Sequence, residues 1–299
     1  MRDIAFGQYY PVSSPVHRLD PRLKIIFTVL YIVTMFFVSS YFGYALVLCF
    51  LLTVCAVAHV PPKAMFKSIK GIIILLVITA ILTLFFYAGD TSVEWTWWIF
   101  TVSPEAIDFA LKMMFRLILL IMGTTILTFT TGTSELTDAI ESLFKPLNLI
   151  KIPVRDIALI MSIALRFIPG LIEETDKIMM AQKARGADME SGNIFKRIKA
   201  MLPVIIPVFV SAFRKADELA DALDARCYQA SPKRTKMKKM SFAWRDLIAF
   251  LIFAAFVTVI FLDKYLWGGV DQYIVQAFQS LIAVSYTHLR AHETSAHLV

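Results

Sequence analysis

Long apolar runs alternate with short polar segments along the first half of the chain. Four runs approach the length needed to cross a bilayer, at residues 25–40, 44–60, 71–88 and 107–130, and a fifth follows at 247–262. A helix needs about 20 apolar residues to cross a hydrocarbon core of about 30 Å, with a range of about 17 to 25. The pattern therefore predicts an all-α integral membrane protein with about five transmembrane helices.

Basic residues are confined to alternate segments between these runs. Residues 1–24 contain four Lys and Arg, residues 61–70 contain three and residues 131–245 contain nineteen, whereas 41–43 and 89–106 contain none. Cytoplasmic loops of membrane proteins are enriched in Lys and Arg. We therefore expect a multi-pass protein with a cytoplasmic N-terminus, and we expect the tryptophans of 89–106 at the outer interface.

Composition supports this interpretation and excludes other classes. The 299 residues are 58% hydrophobic, and the net charge is +7. A soluble domain is about 45–50% apolar, and the topology accounts for the excess charge, so no nucleic-acid partner is predicted. Three cysteines form no disulfide or metal framework. No phosphate-binding loop or hydrolase motif is present, so we expect neither an enzyme nor a cofactor.

Two cations lie inside the fourth run. Lys112 is near its start and Arg116 is one turn deeper. Ionised residues within a membrane are costly and often functional, which makes Arg116 a candidate intramembrane polar residue, whereas Lys112 is more simply explained by reaching outward to the interface. A stand-alone channel or carrier would need polar residues in several runs. Because only these two cations interrupt the runs, the sequence disfavours a protein of that class.

Residues 131–245 combine nineteen basic and thirteen acidic residues with two apolar stretches, 157–172 and 201–213. Both stretches are short for a span and both contain proline. Runs of this length favour buried or interfacial helices. A sixth and seventh span forming a hairpin remains the alternative, and it would leave the orientation of the other spans unchanged.

Each apolar stretch leads into a charged helix that ends in Ala-Arg followed by a small residue. The two endings are Ala184-Arg185-Gly186 and Ala225-Arg226-Cys227. An Arg in the last helical turn meets free carbonyls and the negative end of the dipole. Its planar guanidinium can also bind a carboxylate of another protein in a bidentate manner. A single ending of this kind is explained by ordinary helix capping. Two such endings, forty-one residues apart, make docking to a partner protein as good an explanation as capping.

Several sequence stretches, taken in order, resemble the T component of energy-coupling factor (ECF) transporters, over nearly all of residues 5–265. They are GQY at 7–9 with SPVHRLDPRLK at 14–24, LTFTT at 127–131, and ALRFIP at 164–169 with AQKARG at 181–186. The T component is the membrane subunit of modular importers of vitamins and metal ions in bacteria. The resemblance implies a place in the bacterial plasma membrane and no catalysis by this chain itself.

The resemblance also implies roles for residues 132–245. In that family two long cytoplasmic coupling helices each end in Ala-Arg-Gly, and the arginines dock into two ABC-type ATPases. By position these are Arg185 and Arg226, with Ala184, Gly186, Ala225 and Cys227 completing the motifs; Cys227 departs from the family's glycine. The apolar helix faces would form a platform for an exchangeable substrate-binding S component. The platform residues are Ile160, Ala164, Phe167, Pro169, Pro203, Pro207 and Phe209.

The predicted organisation has five segments. They are a cytoplasmic N-terminal segment (1–24), a four-helix transmembrane region (25–131), the coupling helices (132–245), a C-terminal transmembrane helix and end (246–284), and a tail (285–299) that resembles translated adapter sequence. A dedicated cobalt, nickel or biotin permease subunit and a conventional ABC permease subunit remain alternatives. We favour the shared type of T component, and the sequence does not identify the transported substrate.

Overall fold

A computed structural model defines most of the chain. It describes residues 9–86, 95–97, 100–102, 104–150, 153–187, 193–228 and 242–266. The predicted tail, 285–299, and the end of the preceding segment, 267–284, lie outside the described residues. Within the described ranges the elements are α1 (Pro21–Phe37), α2 (Tyr41–Ala58), α3 (Pro62–Lys70), α4 (Ile73–Phe86), β1 (Trp95–Trp97), β2 (Phe100–Val102), α5 (Pro104–Thr130), α6 (Thr133–Phe144), a 3-10 helix (Lys145–Ile150), α7 (Val154–Ala184), α8 (Ile194–Ala225) and α9 (Trp244–Leu266).

The fold is that of an all-α membrane protein, as predicted. Three described helices, α2, α5 and α9, are long and apolar enough to cross a membrane, and α3 with α4 makes a fourth if this pair, bent by 55°, counts as one span. At 17 residues, α1 lies at the short end of the spanning range. Residues 61–70 were expected to be a loop. They form α3 instead, because Pro62 is suited to the first turn of a helix.

The described helices belong to two compact units. One unit contains α1 to α5 and α9, together with the antiparallel hairpin in which β1 pairs with β2. We call it the membrane unit. The other contains α6, the 3-10 helix, α7 and α8, and we call it the α7–α8 unit.

Aromatic and aliphatic side chains form the core of the membrane unit. Met35 of α1 and Val47 of α2 are fully buried. Phe253 of α9 stacks on Phe27 of α1 with ring centroids 4.7 Å apart. Many other apolar side chains of this unit remain exposed, as expected for helices that face lipid.

Polar contacts join three helix ends in the same unit. The Nζ of buried Lys24 donates to the carbonyl of Thr130, at 2.8 Å, and to that of His17, at 3.1 Å. The backbone N–H of Asp20 donates to the carboxylate of Asp246, at 3.0 Å. The start of α1 is thereby tied to the end of α5 and to the start of α9. These contacts give the DPRLK segment at residues 20–24 a structural role.

A glycine allows the close approach of α1 and α5. A Cβ added at Gly123 would lie 2.2 Å from the Tyr31 ring, which is too close for any real contact. The Tyr31 hydroxyl donates to the carbonyl of Leu119, 2.7 Å away. Position 123 must therefore lack a side chain for this pair of helices to pack.

We expect Gly123→Ala to lower the thermal stability of the purified protein. The methyl group forces the buried Tyr31 ring to move, and overpacking of this kind costs about 1–3 kcal/mol. The measurement is thermal unfolding in detergent. Gly132→Ala is the matched control, because a Cβ at Gly132 meets no atom within 4 Å. Equal melting temperatures for the two variants would contradict the packing argument.

Candidate partner-docking site

The two predicted charged helices are α7, with 31 residues, and α8, with 32. At a rise of 1.5 Å per residue, each is about 47 Å long. The apolar stretches 157–172 and 201–213 are parts of these continuous helices, and Pro169, Pro203 and Pro207 lie inside them. Neither helix is among the described candidate spans.

The end of α7 is a Schellman motif. The N–H of Ala187 donates to the carbonyl of Gln182, and the N–H of Gly186 donates to that of Lys183, both at 3.0 Å. Gly186 adopts a φ of +85°, the left-handed conformation that this motif requires. Because the backbone itself satisfies these terminal carbonyls, the exposed guanidinium of Arg185 is not needed to cap the helix.

The end of α8 repeats this geometry. The N–H of Tyr228 donates to the carbonyl of Leu223, at 3.0 Å, and the N–H of Cys227 donates to that of Asp224, at 2.8 Å. Cys227 occupies the glycine position with a φ of 54°. The departure from Ala-Arg-Gly thus leaves the conformation of the helix end unchanged. Arg226 directly follows the last residue of α8, as Arg185 follows that of α7, and it is likewise exposed.

We expect Cys227→Gly to stabilise the end of α8 and Gly186→Ala to destabilise the end of α7. A side chain in the left-handed region costs roughly 1–2 kcal/mol, which glycine avoids. Hydrogen exchange of the last-turn amides should slow about fivefold for a 1 kcal/mol gain. Cys227→Ala is the control, because it retains a Cβ and should leave exchange unchanged. Equal exchange in the Gly and Ala variants would contradict the assignment of strain to Cys227.

The two helices run antiparallel and contact each other through polar side chains. Lys215 of α8 forms an ion pair with Glu174 of α7. Further along, the Gln182 side chain donates to the carbonyl of Pro203, 3.5 Å away. Residue numbers rise along α7 while they fall along α8, which establishes the antiparallel direction.

The ion pair joins equivalent positions of the two helices. Glu174 lies eleven residues before Arg185, and Lys215 lies eleven residues before Arg226. The pair therefore lies at the centre of an approximate two-fold arrangement. Each arginine lies about 17 Å along its helix from this centre, in opposite directions. The forty-one-residue spacing of the endings identifies Glu174 and Lys215 as equivalent positions in the sequence, but it does not indicate that they are in contact.

The contact also affects the charge state of Glu174. Hydrogen bonds from the side chains of Lys215 and then Ser211 lower the pKa of this carboxyl below its usual value. Both donors stabilise the ionised form, and together they outweigh the opposing effect of desolvation. The carboxylate is therefore ionised throughout the neutral range, and its contribution to the helix contact is present there.

We expect Glu174→Gln to loosen the contact between α7 and α8. Because the pKa of Glu174 is lowered in the folded protein, its stabilising effect is present above pH 4.5, its usual pKa, and is lost as the pH falls through the lowered value. The measurement is amide hydrogen exchange around residues 174 and 215 at neutral pH and along a descending pH series.

Glu173→Gln is the matched control, since the neighbouring Glu173 is exposed and forms no ion pair with the described residues. The reversed pair, Glu174→Lys with Lys215→Glu, should restore protection. Equal exchange in the two single Gln variants would refute the role of the ion pair.

The predicted platform residues lie on α7 and α8 and are mostly exposed. Ile160 is 65% exposed and Phe209 is 60% exposed, although both are large apolar side chains. Phe209 contacts Phe213 with ring centroids 5.4 Å apart. The remaining predicted platform residues are exposed (Ala164, Pro169, Pro203 and Pro207) or half-buried (Phe167). An exposed apolar surface of this kind is typical of interaction sites.

The two cations of α5 have partners within the membrane unit. Lys112 forms an ion pair with Asp108 at 2.9 Å and lies 5.1 Å from the centre of the Tyr41 ring. Arg116 donates from Nη2 to the carbonyl of Val38, at 2.8 Å, at the C-terminal end of α1. A cation at a helix C-terminus is favourable, so this contact explains the presence of Arg116. Its predicted functional role remains a prediction.

Comparisons with known proteins agree with this architecture. Residues 12–238 match the family described as CbiQ, cobalt transport protein. An energy-coupling factor transporter transmembrane protein EcfT from Ruminiclostridium cellulolyticum is 45% identical over 267 residues, which cover 89% of this chain and 99% of that protein.

Two further proteins of the same name are equally informative. The one from Clostridium kluyveri is 45% identical over 90% of this chain and 99% of its own length, and the one from Acidaminococcus fermentans is 44% identical over 90% and 98%. A dedicated cobalt, nickel or biotin permease subunit and a conventional permease subunit are not favoured. The chain therefore belongs to the CbiQ family, as a transmembrane T component of the energy-coupling factor transporters.

Proposed function

We propose that α7 and α8 are the coupling helices of an ECF-type importer, and that Arg185 and Arg226 dock two ABC-type ATPase subunits. One observation carries this proposal: two exposed arginines end two helices in the same Schellman geometry, at equal distances from the Glu174–Lys215 pair. Neither guanidinium forms a side-chain hydrogen bond or ion pair within the described part of the chain. Both are therefore free to bind acceptors on a partner.

The approximate two-fold arrangement explains why two ATPases would bind. Two homologous partners related by a two-fold axis present the same pocket twice, in opposite directions. The two arginines are likewise presented in opposite directions about the Glu174–Lys215 pair. Arg185 and Arg226 would each bind an acidic pocket on one ATPase through charge-assisted contacts. ATP hydrolysis then belongs to the partners, and this chain transmits their motion without catalysing a reaction.

The exposed apolar residues of α7 and α8 would form the platform for the substrate-binding S component. More than half of the surface of Ile160 and of Phe209 is exposed, and exposed aromatic and aliphatic residues favour a partner that is itself apolar. A separate membrane subunit fits this chemistry. A rigid movement of α7 and α8 would then be transmitted to that subunit and would release its micronutrient inside the cell.

The distribution of basic residues supports the orientation. Residues 1–24, 61–70 and 131–245 carry nearly all the Lys and Arg that flank the spans. We infer a multi-pass protein of the bacterial cell membrane, with a cytoplasmic N-terminus and with 132–245 in the cytoplasm. For the rest of the chain we retain the segments predicted from the sequence, namely the N-terminal segment (1–24), the transmembrane region (25–131) and the C-terminal transmembrane helix and end (246–284).

We expect the double variant Arg185→Glu with Arg226→Glu to lose assembly with both ATPases and to lose uptake. Each charge-assisted contact is worth about 1.5–3 kcal/mol, so each single variant should weaken assembly about tenfold to a hundredfold. The measurement is co-purification of the ATPases with the tagged chain from membranes, alongside substrate uptake.

The control double variant is Lys177→Glu with Arg197→Glu, which reverses exposed charges on the same two helices at positions outside their C-terminal Ala-Arg endings. A second pair, Ile160→Asp with Phe209→Asp, should retain the ATPases and lose the S component. An intact ATPase complex in the arginine double variant would refute the docking role.

A further inference from the structure

A cavity of about 450 Å³ lies within the membrane unit, among α1, α2, α5 and α9. It extends along α1 from Lys24 to Tyr31 and along α9 from Arg245 to Phe253. At 1.5 Å per residue, these stretches are about 10–12 Å long. A volume of 450 Å³ lies within the range of small-molecule sites in proteins. Neither the coupling helices nor the proposed platform contributes to it.

The walls of the cavity offer almost no polar group to a ligand. The hydroxyls of Thr28, Thr53 and Thr130 donate to carbonyls one turn earlier in their own helices. The Tyr31 hydroxyl donates to the carbonyl of Leu119. The remaining wall residues are largely aliphatic and aromatic, with Phe253 and Ile252 contributed by α9. A polar metabolite would lose hydration here without replacement, so the walls select a hydrocarbon ligand.

Two basic side chains line one end of the cavity. Lys24 and Arg245 both line this end, next to Thr130. The ammonium of Lys24 is bound to two backbone carbonyls. Arg245 is exposed, and its side chain forms no hydrogen bond or ion pair with any described residue. A guanidinium at the mouth of an apolar cavity favours a ligand with a hydrocarbon tail and an anionic head.

We propose that the cavity binds one acyl chain of an anionic phospholipid, with the headgroup phosphate on Arg245. Basic residues at the ends of transmembrane helices bind anionic headgroups in this manner. A partner helix is a poorer match, because its diameter of about 10–12 Å with side chains suits an open face better than a recess among four helices. The lipid would fill the space that the four helices leave between them and would stabilise the position of α9.

The test uses the full chain reconstituted in vesicles of three parts phosphatidylcholine to one part phosphatidylglycerol. After mild detergent extraction, native mass spectrometry counts the lipids that remain bound to each variant. We expect one retained lipid per wild-type chain, with a ratio of phosphatidylglycerol to phosphatidylcholine at least tenfold higher than in the vesicles. Ala249→Phe, which places a ring in the cavity, should reduce retention at least tenfold. Arg245→Gln, at an exposed position that does not threaten folding, should abolish the enrichment.

Matched controls separate the cavity from the general lipid surface. Ala255→Phe makes the same change on an exposed face of α9, and Lys67→Gln removes another exposed cation of the same unit; both should retain lipid as the wild type does. The proposal is overturned if Ala249→Phe and Ala255→Phe retain equal lipid, or if Arg245→Gln keeps the enrichment. A second protein chain in place of lipid, displaced by Ala249→Phe, would also overturn it.

Discussion

The antiparallel contact between α7 and α8 is the constraint on which the proposed mechanism depends. An ion pair between Glu174 and Lys215 holds equivalent positions of the two helices together. Two ends with the same backbone conformation are therefore presented in opposite directions. Without this contact, Arg185 and Arg226 would end two independent helices with no defined spacing. With it, the arginines lie toward opposite ends of one pair of helices, which is the geometry that the proposed coupling to two ATPases would need.

The backbone, and not the arginine side chain, caps the C-terminal ends of α7 and α8. In both Schellman motifs, backbone N–H groups satisfy the terminal carbonyls that an arginine side chain could otherwise cap. The guanidinium groups are thereby not needed for capping, which is consistent with the proposed docking role. Cys227 shows that this arrangement is held firmly enough to place a non-glycine residue in a left-handed conformation. Retaining the same geometry with a strained residue indicates that the shape of the end matters more than the identity of its third residue.

The membrane unit uses buried polar contacts where lipid-facing helices would otherwise be joined by apolar packing alone. Lys24 binds the last carbonyl of α5, and Asp246 binds the backbone at the start of α1. Because these polar contacts hold the helix ends together, the apolar segments that follow them need not pack fully against each other. The cavity beside Tyr31 and Phe253 lies where that packing is incomplete.

The sequence by itself determined the local features. Apolar runs predicted α2, α5 and α9, and the Ala-Arg endings predicted where α7 and α8 stop, since helix length and the helix-terminating turn depend on neighbouring residues. It did not reveal α3 as a helix, the pairing of Glu174 with Lys215, or the space between α1 and α9. Only the tertiary structure decided these last two, because each depends on residues far apart in the chain, such as Glu174 and Lys215, whose approach no local pattern records.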